Sequence, residues 1–363
     1  MKILFVVYED VNNEARSIEM IEACVKMGET TVVTYYENEK YKDKVKFHLS
    51  KKKHNGNRRY SQFYLLARKI ILKNDYDVIV LHDNYTAPLI NLIKRKKKNT
   101  KIVFDSSELD IKTKPTSIKD FFAKYFQFSE KRNLRKCDVI IAANQERANI
   151  MVEYFKLKKK TLIFDNMHRI DDEYNPILVN EKYKELLKMK KIILYGGGIS
   201  DTRKTYELAE AVGNLGPEFN LVVIGMATKE QKEKFMEMKK IYNNIDYLGF
   251  VPRPEFKFLL EIAYISVSMF DMNCANTINC ASGKTYESLF AGVPMLTSIN
   301  PPLKRLCEEH GVGVSTTNLK EGILTIDKNM EKFRKNVVEY VKSTNYEKRV
   351  DRLCEDILKE LKS

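Results

Sequence analysis

Short, uninterrupted apolar runs alternate with longer stretches of helical periodicity in this 363-residue chain, and the alternation begins a second time half-way along. No other feature constrains the fold as much. ILFVVY (3–8), TVVTYY (31–36), VIVL (78–81), IVF (102–104) and VIIA (139–142) are β-branched and unbroken, and read as strands buried on both faces. Between them, Glu14–Lys26, Arg58–Leu72, Ala87–Lys97, Ile118–Lys136 and Gln145–Phe155 carry helical spacing. Strand–helix–strand repeats of this kind demand right-handed crossovers and a parallel sheet covered on both sides.

The second cycle opens at KIILYGGG (191–198) and runs through FNLVVIG (219–225), IDYLG (245–249), AYISVSMF (263–270) and VPMLTS (293–298). Its helices fall at Arg203–Val212, Lys229–Lys240, Glu255–Ile262 and Lys284–Ala291. The seam is the polar stretch Asp171–Asn180, which contains Pro176. The expected fold is therefore α/β: two Rossmann-like, doubly wound domains, 1–175 and 185–340, facing a central cleft. Residues 341–363 read as a C-terminal helix, with packing back on the first domain as one arrangement. Ligands of open parallel sheets bind at the carboxyl ends of the strands.

Composition narrows the classes. No run approaches the roughly 18 apolar residues of a membrane span. The apolar start, Ile3 to Tyr8, runs into Glu9 and Asp10 without a small-residue cleavage site, which favours a first strand over a signal peptide. Six cysteines (24, 137, 274, 280, 307, 354) are scattered, with no CxxC pair and no His at metal-ligand spacing. Reduced thiols in a cytoplasmic protein and no metal are the expectation. The net charge of +14 is uneven: residues 51–100 hold 13 Lys/Arg against 3 Asp/Glu, whereas 181–363 hold 28 against 25. Such asymmetry points the first half toward an anionic partner, with a merely solvated lysine-rich surface as the alternative. Segment 51–72 becomes amphipathic after its basic start, so with Lys94–Lys98 it could rest on anionic headgroups. Its aromatics fit a core face as well.

Two constellations carry chemistry. In Tyr195-Gly-Gly-Gly-Ile-Ser-Asp-Thr-Arg-Lys204, glycines follow a strand and two cations stand at the mouth of a helix. That suits a diphosphate cradle, or a plain tight turn. It is neither a GxGxxG nor a GxxxxGKS loop. In Ser282-Gly-Lys-Thr-Tyr-Glu-Ser-Leu-Phe-Ala-Gly-Val-Pro294, a Ser–Gly loop opens a helix with Lys284 in its first turn and Glu287 one turn on. Simple capping by Ser282 and a dipole-favoured acid are the other reading. His82 and Asp83 after VIVL sit where a sheet edge meets a cleft, to touch an acceptor or to cap a loop.

The two motifs, in this order and about eighty residues apart, resemble the donor domain of the retaining glycosyltransferases of family 4, which have the GT-B fold. SGKTYESLFAGVP is similar to that family's PSKxxEyxAxGxPV, IDYLGFVP (245–252) to its base-side strand and loop, and KIVFDSSELD (101–110) to its vyDsHEl segment. The Cys137–Ala142 strand also fits, and the likeness covers roughly residues 1–340. The resemblance implies a donor site of Gly197, Gly198, Arg203, Lys204, Gly225, Phe250, Val251, Ser282, Gly283, Lys284, Thr285 and Glu287. Arg203 and Lys204 would grip the diphosphate, Glu287 the ribose hydroxyls, and the peptides around Phe250 and Val251 the base. Glu108 and Asn279 fall at the catalytic positions; Asn279 replaces the first acid of a Glu-x7-Glu pair, and Ser107 replaces a His. The family's glycine-rich N-terminal loop is here Glu9–Arg16. Arg16, His82, Arg58 and Arg59 are the acceptor or membrane candidates.

The implied activity is transfer of a sugar, with retention, from a nucleotide-diphosphate sugar, UDP by family frequency. The acceptor would be a cell-surface polysaccharide or lipid-linked glycan at the inner face of a membrane. No cofactor, metal or nucleic acid is expected. A non-hydrolysing nucleotide-sugar 2-epimerase shares the fold, but would want more acids and histidines than this chain's five His supply. A nucleic-acid binder using the basic stretch would leave both motifs without a task.

Overall fold

The computed structural model describes residues 1–12, 14–51, 56–109, 111 and 118–362, with the backbone alone for 118–123. It divides into two units, Met1–Asn166 with Glu347–Ser363, and Met167–Tyr346.

The first unit runs β1 (Lys2–Val6), α1 (Ala15–Met27), β2 (Glu29–Thr34), β3 (Val45–Leu49), α2 (Gly56–Lys73), β4 (Val78–His82), α3 (Ala87–Lys96), β5 (Lys101–Ser106), α4 (Ile118–Asn133), β6 (Val139–Ala142), α5 (Gln145–Phe155) and β7 (Leu162–Ile163). All seven strands are parallel, in the order β3-β2-β1-β4-β5-β6-β7. The chain starts in the middle, winds out to β3, and returns to the other side of β1, so the switch point lies between β1 and β4. β4 is buried along its whole length, as a central strand covered on both faces must be.

The second unit runs α6 (Pro176–Lys182), β8 (Lys191–Gly196), α7 (Thr205–Gly213), β9 (Phe219–Ile224), α8 (Lys229–Ile241), β10 (Ile245–Gly249), α9 (Arg253–Glu261), β11 (Ile265–Ser268), α10 (Ala275–Ile278), α11 (Gly283–Phe290), β12 (Met295–Thr297), α12 (Pro301–His310), β13 (Gly313–Ser315), α13 (Leu319–Lys328) and α14 (Met330–Thr344). Its six parallel strands are ordered β10-β9-β8-β11-β12-β13, which puts the switch point between β8 and β11. The last helix, α15 (Arg349–Lys362), belongs to the first unit. It buries Val350, Leu353, Cys354 and Ile357 in the core that holds Met20 and Cys24 of α1, and Lys26 pairs with Asp351 at 2.5 Å.

The units differ from the sequence boundaries of 175 and 341. Residues 167–175 go with the second unit because Met167 and Ile170 are buried in its cores. Residues 341–346 stay there because Val341 and Tyr346 pack on its apolar clusters, the Tyr346 ring 4.8 Å from that of Phe290. Three strands escape the apolar-run pattern: β3, an edge strand with exposed Lys46, and the short β7 and β13. All six cysteines are free, and four of them are buried. Among the described residues no helix is long and apolar enough to cross a membrane.

Candidate functional site

In the second unit, the carboxyl ends of β8, β9 and β11 and the start of α11 line a cavity of about 560 Å³. Its wall begins with Gly196, Ile224 and Gly225 at the strand ends. Phe250 and Val251 follow β10, Arg253 and Phe256 open α9, Phe270 follows β11, and Ser282, Gly283, Lys284 and Glu287 come from α11. Arg203, from the loop before α7, completes it and is anchored by donating from Nη1 to the Gly197 carbonyl at 3.0 Å. Ser282 stands at the N-cap of α11 but makes no side-chain cap bond. Its hydroxyl therefore does not consume the first-turn N–H groups, which give a helix N-terminus its affinity for anions.

Glu287 is 5% exposed and accepts a hydrogen bond from Arg253 Nη1 at 3.0 Å; Arg253 Nε donates to Asp172 at 3.0 Å. Burial pushes the Glu287 pKa up, against the opposing charges of Arg253 and Lys284. Lys284 is exposed as a residue, yet desolvation of its ammonium outweighs the pull of Glu287 and, with the positive Arg203, lowers its pKa. Three cations and one carboxylate thus line the cavity, and Phe250 stands 75% exposed at the wall. A site of that make-up can neutralise a diphosphate and offer an aromatic face to a planar ring.

The corresponding edge of the first unit is filled. Arg16 is 1% exposed; its Nε bonds both oxygens of buried Asp105 at 3.1 and 3.0 Å, and Nη2 approaches Oδ1 at 2.5 Å. Nη1 donates to the Phe164 carbonyl and to Asn166. His82, also 1% exposed, contacts Asp105 through Nδ1 at 2.8 Å. Desolvation works against ionised Asp105, but Arg16 and His82 hold its pKa below the ordinary value. Desolvation likewise opposes charge on His82, and Asp83 and Glu14 override it, so its pKa is raised well above normal. Burial and contact with Glu14 push Glu9 up to about 8. Asp83, held at φ 56°, accepts from Ser107 N at 2.8 Å and Ser107 Oγ at 2.6 Å.

Residues 14–166 match the family model described as Glycosyltransferase Family 4. A search of curated protein sequences finds no match. Among solved structures, HepE of Anabaena in complex with UDP and glucose is similar at a TM-score of 0.71 and 14% identity, over 100% of this chain and 99% of that one. Sucrose-phosphate synthase from Thermosynechococcus elongatus is similar at 0.73 and 13%, over 99% and 98%. WaaG, a glycosyltransferase involved in lipopolysaccharide biosynthesis, follows at 0.66 and 12%, over 98% and 99%. This chain has the GT-B fold, and residues 14–166 of its first unit carry the Glycosyltransferase Family 4 match.

In this GT-B chain, eight of the twelve residues expected around the donor meet at one cavity: Arg203, Gly225, Phe250, Val251, Ser282, Gly283, Lys284 and Glu287. Four stand outside its wall. The N–H groups of Gly197 and Gly198 both donate to the Ile224 carbonyl at 3.0 Å, so they tie strand ends together instead of cradling phosphate. Gly198 has φ 78°, and a Cβ there would lie 2.3 Å from the Met226 carbonyl oxygen; glycine is required by that close approach. Lys204 faces Glu207 at 3.3 Å, and Thr285 is buried, bonded to Ser268 at 3.2 Å. Asn279 is buried too, its amide donating to the Ala275 carbonyl at 2.9 Å.

Arg253, Phe256 and Phe270 were not anticipated at the site. Arg253 directly follows IDYLGFVP, so a cation adjoining a base-side loop was the available signal.

The first-unit candidates need correction. Arg16 and His82 are sealed inside a charge network and cannot face an anionic surface. Arg58 is exposed, but the Arg59 guanidinium lies over the Tyr35 ring at 4.1 Å. Lys52 and Lys53 lie outside the described residues, as do Asn13 of the N-terminal loop and Asp110 of the KIVFDSSELD segment. Lys94 and Lys97 spend charge on Asp138 and Asp75, at 2.9 and 2.6 Å. Glu108 projects a 58%-exposed side chain 4.0 Å from Arg147, while its N–H donates to Asp83 at 3.3 Å.

Proposed function

We propose that the chain transfers a sugar from a nucleotide-diphosphate sugar, with UDP as the nucleotide, to a glycan or lipid-linked acceptor. The observation carrying this reading is the second-unit cavity, where Arg203, Arg253 and Lys284 line the wall together with buried Glu287, with which Arg253 pairs. As the glycosidic bond breaks, negative charge develops on the leaving diphosphate. Fixed cations and a helix N-terminus stabilise it without reorganising. Arg203 and Lys284 take that role. Glu287 accepts from the ribose hydroxyls while Arg253 holds its carboxylate in place, and Phe250 and Val251 meet the base. HepE crystallised with UDP, at a TM-score of 0.70, supports the choice of nucleotide. Retention of configuration rests on the family 4 match, with the acceptor attacking from the phosphate side. Glu108 is assigned to the acceptor side in the first unit.

Donor activation needs no metal in this reading, because the cations already present supply the charge stabilisation. Donor affinity should therefore be unchanged by EDTA. Exposed Lys51 and Arg58, with the remaining basic stretch, would draw the enzyme to the inner face of an anionic membrane, each cation contributing about 1 kcal/mol. Co-sedimentation with anionic vesicles should then weaken as salt rises, whereas salt-independent sedimentation or none would leave a soluble acceptor.

The decisive test is a thermal-shift panel of UDP-, GDP- and ADP-sugars. A ligand at about 100 times its Kd stabilises by roughly 2.7 kcal/mol. UDP-sugars should raise the melting temperature most, and no shift from any nucleotide sugar would overturn the assignment.

A further inference from the structure

Glu9, Glu14 and His82 meet at the carboxyl edge of the first sheet, beside its switch point between β1 and β4. They come from three chain segments: the loop after β1, the mouth of α1, and the end of β4. One ligand atom from each lies within 4.8 Å of the other two.

His82 decides what the cluster is for. Its Nδ1 is committed to Asp105 at 2.8 Å, and Asp105 is itself clamped by Arg16. That leaves Nε2 as the working nitrogen. Nε2 is sealed from solvent and has no hydrogen-bond partner, although Glu14 Oε2 and Asp83 Oδ2 are 3.3 and 3.4 Å away. A buried polar group left in this state costs about 1–3 kcal/mol, so its retention calls for a reason. Asp83 offers little help, because its carboxylate is held by the Ser107 N–H and hydroxyl.

We propose that Glu9, Glu14 and His82 bind a divalent first-row transition cation through two carboxylates and the His82 Nε2. One imidazole and two carboxylates suit Zn²⁺ or Mn²⁺ better than a soft ion, and leave coordination positions open. A histidine whose other nitrogen meets a carboxylate is the common outer-shell arrangement of such sites, fixing the tautomer and the ring plane. Here Arg16 in turn fixes that carboxylate. On binding, the ion would displace the protons that Glu9 and His82 otherwise hold, and it would pin the loop after β1 to the end of β4. The site lies wholly in the first unit and does not rest on the donor reading.

The test uses the full chain, stripped with chelator and titrated with Zn²⁺ by calorimetry. Exposed Cys274 could bind zinc by itself, so every protein carries Cys274→Ser. One saturable site per chain is expected, weakened at least 10-fold by Glu14→Gln. Asp105→Asn should weaken it roughly 10- to 100-fold, as loss of an outer-shell partner does. Exposed Glu37→Gln should leave it unchanged. Circular dichroism melts check folding, and if Glu14→Gln does not fold, Glu9→Gln, on a partly exposed residue, gives the same readout. Absence of saturable binding, or equal affinity in wild type and the folded glutamine variant, would overturn the proposal.

Discussion

The two sheets are wound alike, yet their switch points hold opposite things. Beside β1 and β4 a network of Arg16, Asp105, His82 and Asp83 fills the carboxyl edge with buried charge. Between β8 and β11 the same kind of edge stays open as a cavity of about 560 Å³. The difference lies in the residues that end the strands. β4 and β5 end on or next to side chains that need partners, His82 and Asp105, and these find each other. β8 and β9 run into glycines, Gly196 and Gly225, which leave room for a ligand. Topology supplies two places to bind; strand-end chemistry decides which one is free.

The largest effect should come from breaking the filled edge. Removing one partner of a buried ion pair leaves the other charge uncompensated, at about 3–5 kcal/mol. Asp105→Ala should therefore lower stability by that amount in urea unfolding, while UDP affinity of the folded fraction stays as in wild type. A loss below ~1 kcal/mol would mean that the network contributes little and the contrast is only geometric.

At the open edge the cost should fall on binding. Glu287→Ala removes a charged hydrogen-bond acceptor, and about 1.5–3 kcal/mol of donor affinity should go with it. Calorimetric titration with UDP reads this directly.

The pH dependence sharpens the point. Burial raises the Glu287 pKa, so as pH falls the carboxylate protonates earlier than a free glutamate near ~4.3, and affinity is lost on the acid side from above that value. Desolvation lowers the Lys284 pKa, so as pH rises its ammonium is lost before a free lysine near ~10.4, and affinity also falls on the alkaline side. UDP affinity measured across pH should be a bell narrower than these reference values; Glu287→Gln should abolish the acid limb and, by removing the carboxylate that favours charged Lys284, draw the alkaline limb to lower pH.

The smallest effect is expected at Lys204, whose pair with Glu207 is exposed and worth at most about 1 kcal/mol. Lys204→Ala should bind UDP nearly as wild type, whereas its neighbour Arg203→Ala should lose about 1.5–3 kcal/mol. Equal losses would put both cations on the ligand.

How much of this was legible in the sequence follows the same division. The central strands were readable because parallel strands buried on both faces are continuous apolar runs. The SGKTYE helix start was readable because glycine, a cation and an acid follow one another within a turn. The choice between Arg203 and Lys204 was not, because it depends on the backbone: Lys204 takes φ 55° at the N-cap of α7, while Arg203 is tied to the Gly197 carbonyl. The glycines were legible as a tight turn but not as packing between strand ends, since the Ile224 carbonyl that receives both N–H groups is 26 residues from Gly198. Arg16 looked like a surface cation because its partner Asp105 is 89 residues away.

If one cavity holds the nucleotide, calorimetric titration of UDP into wild type and the Arg203→Ala/Glu287→Ala double variant shows it most directly. One site per chain in wild type, and a loss of roughly 100-fold or more in the folded double variant, is the predicted result. Wild-type affinity in the double variant would contradict it.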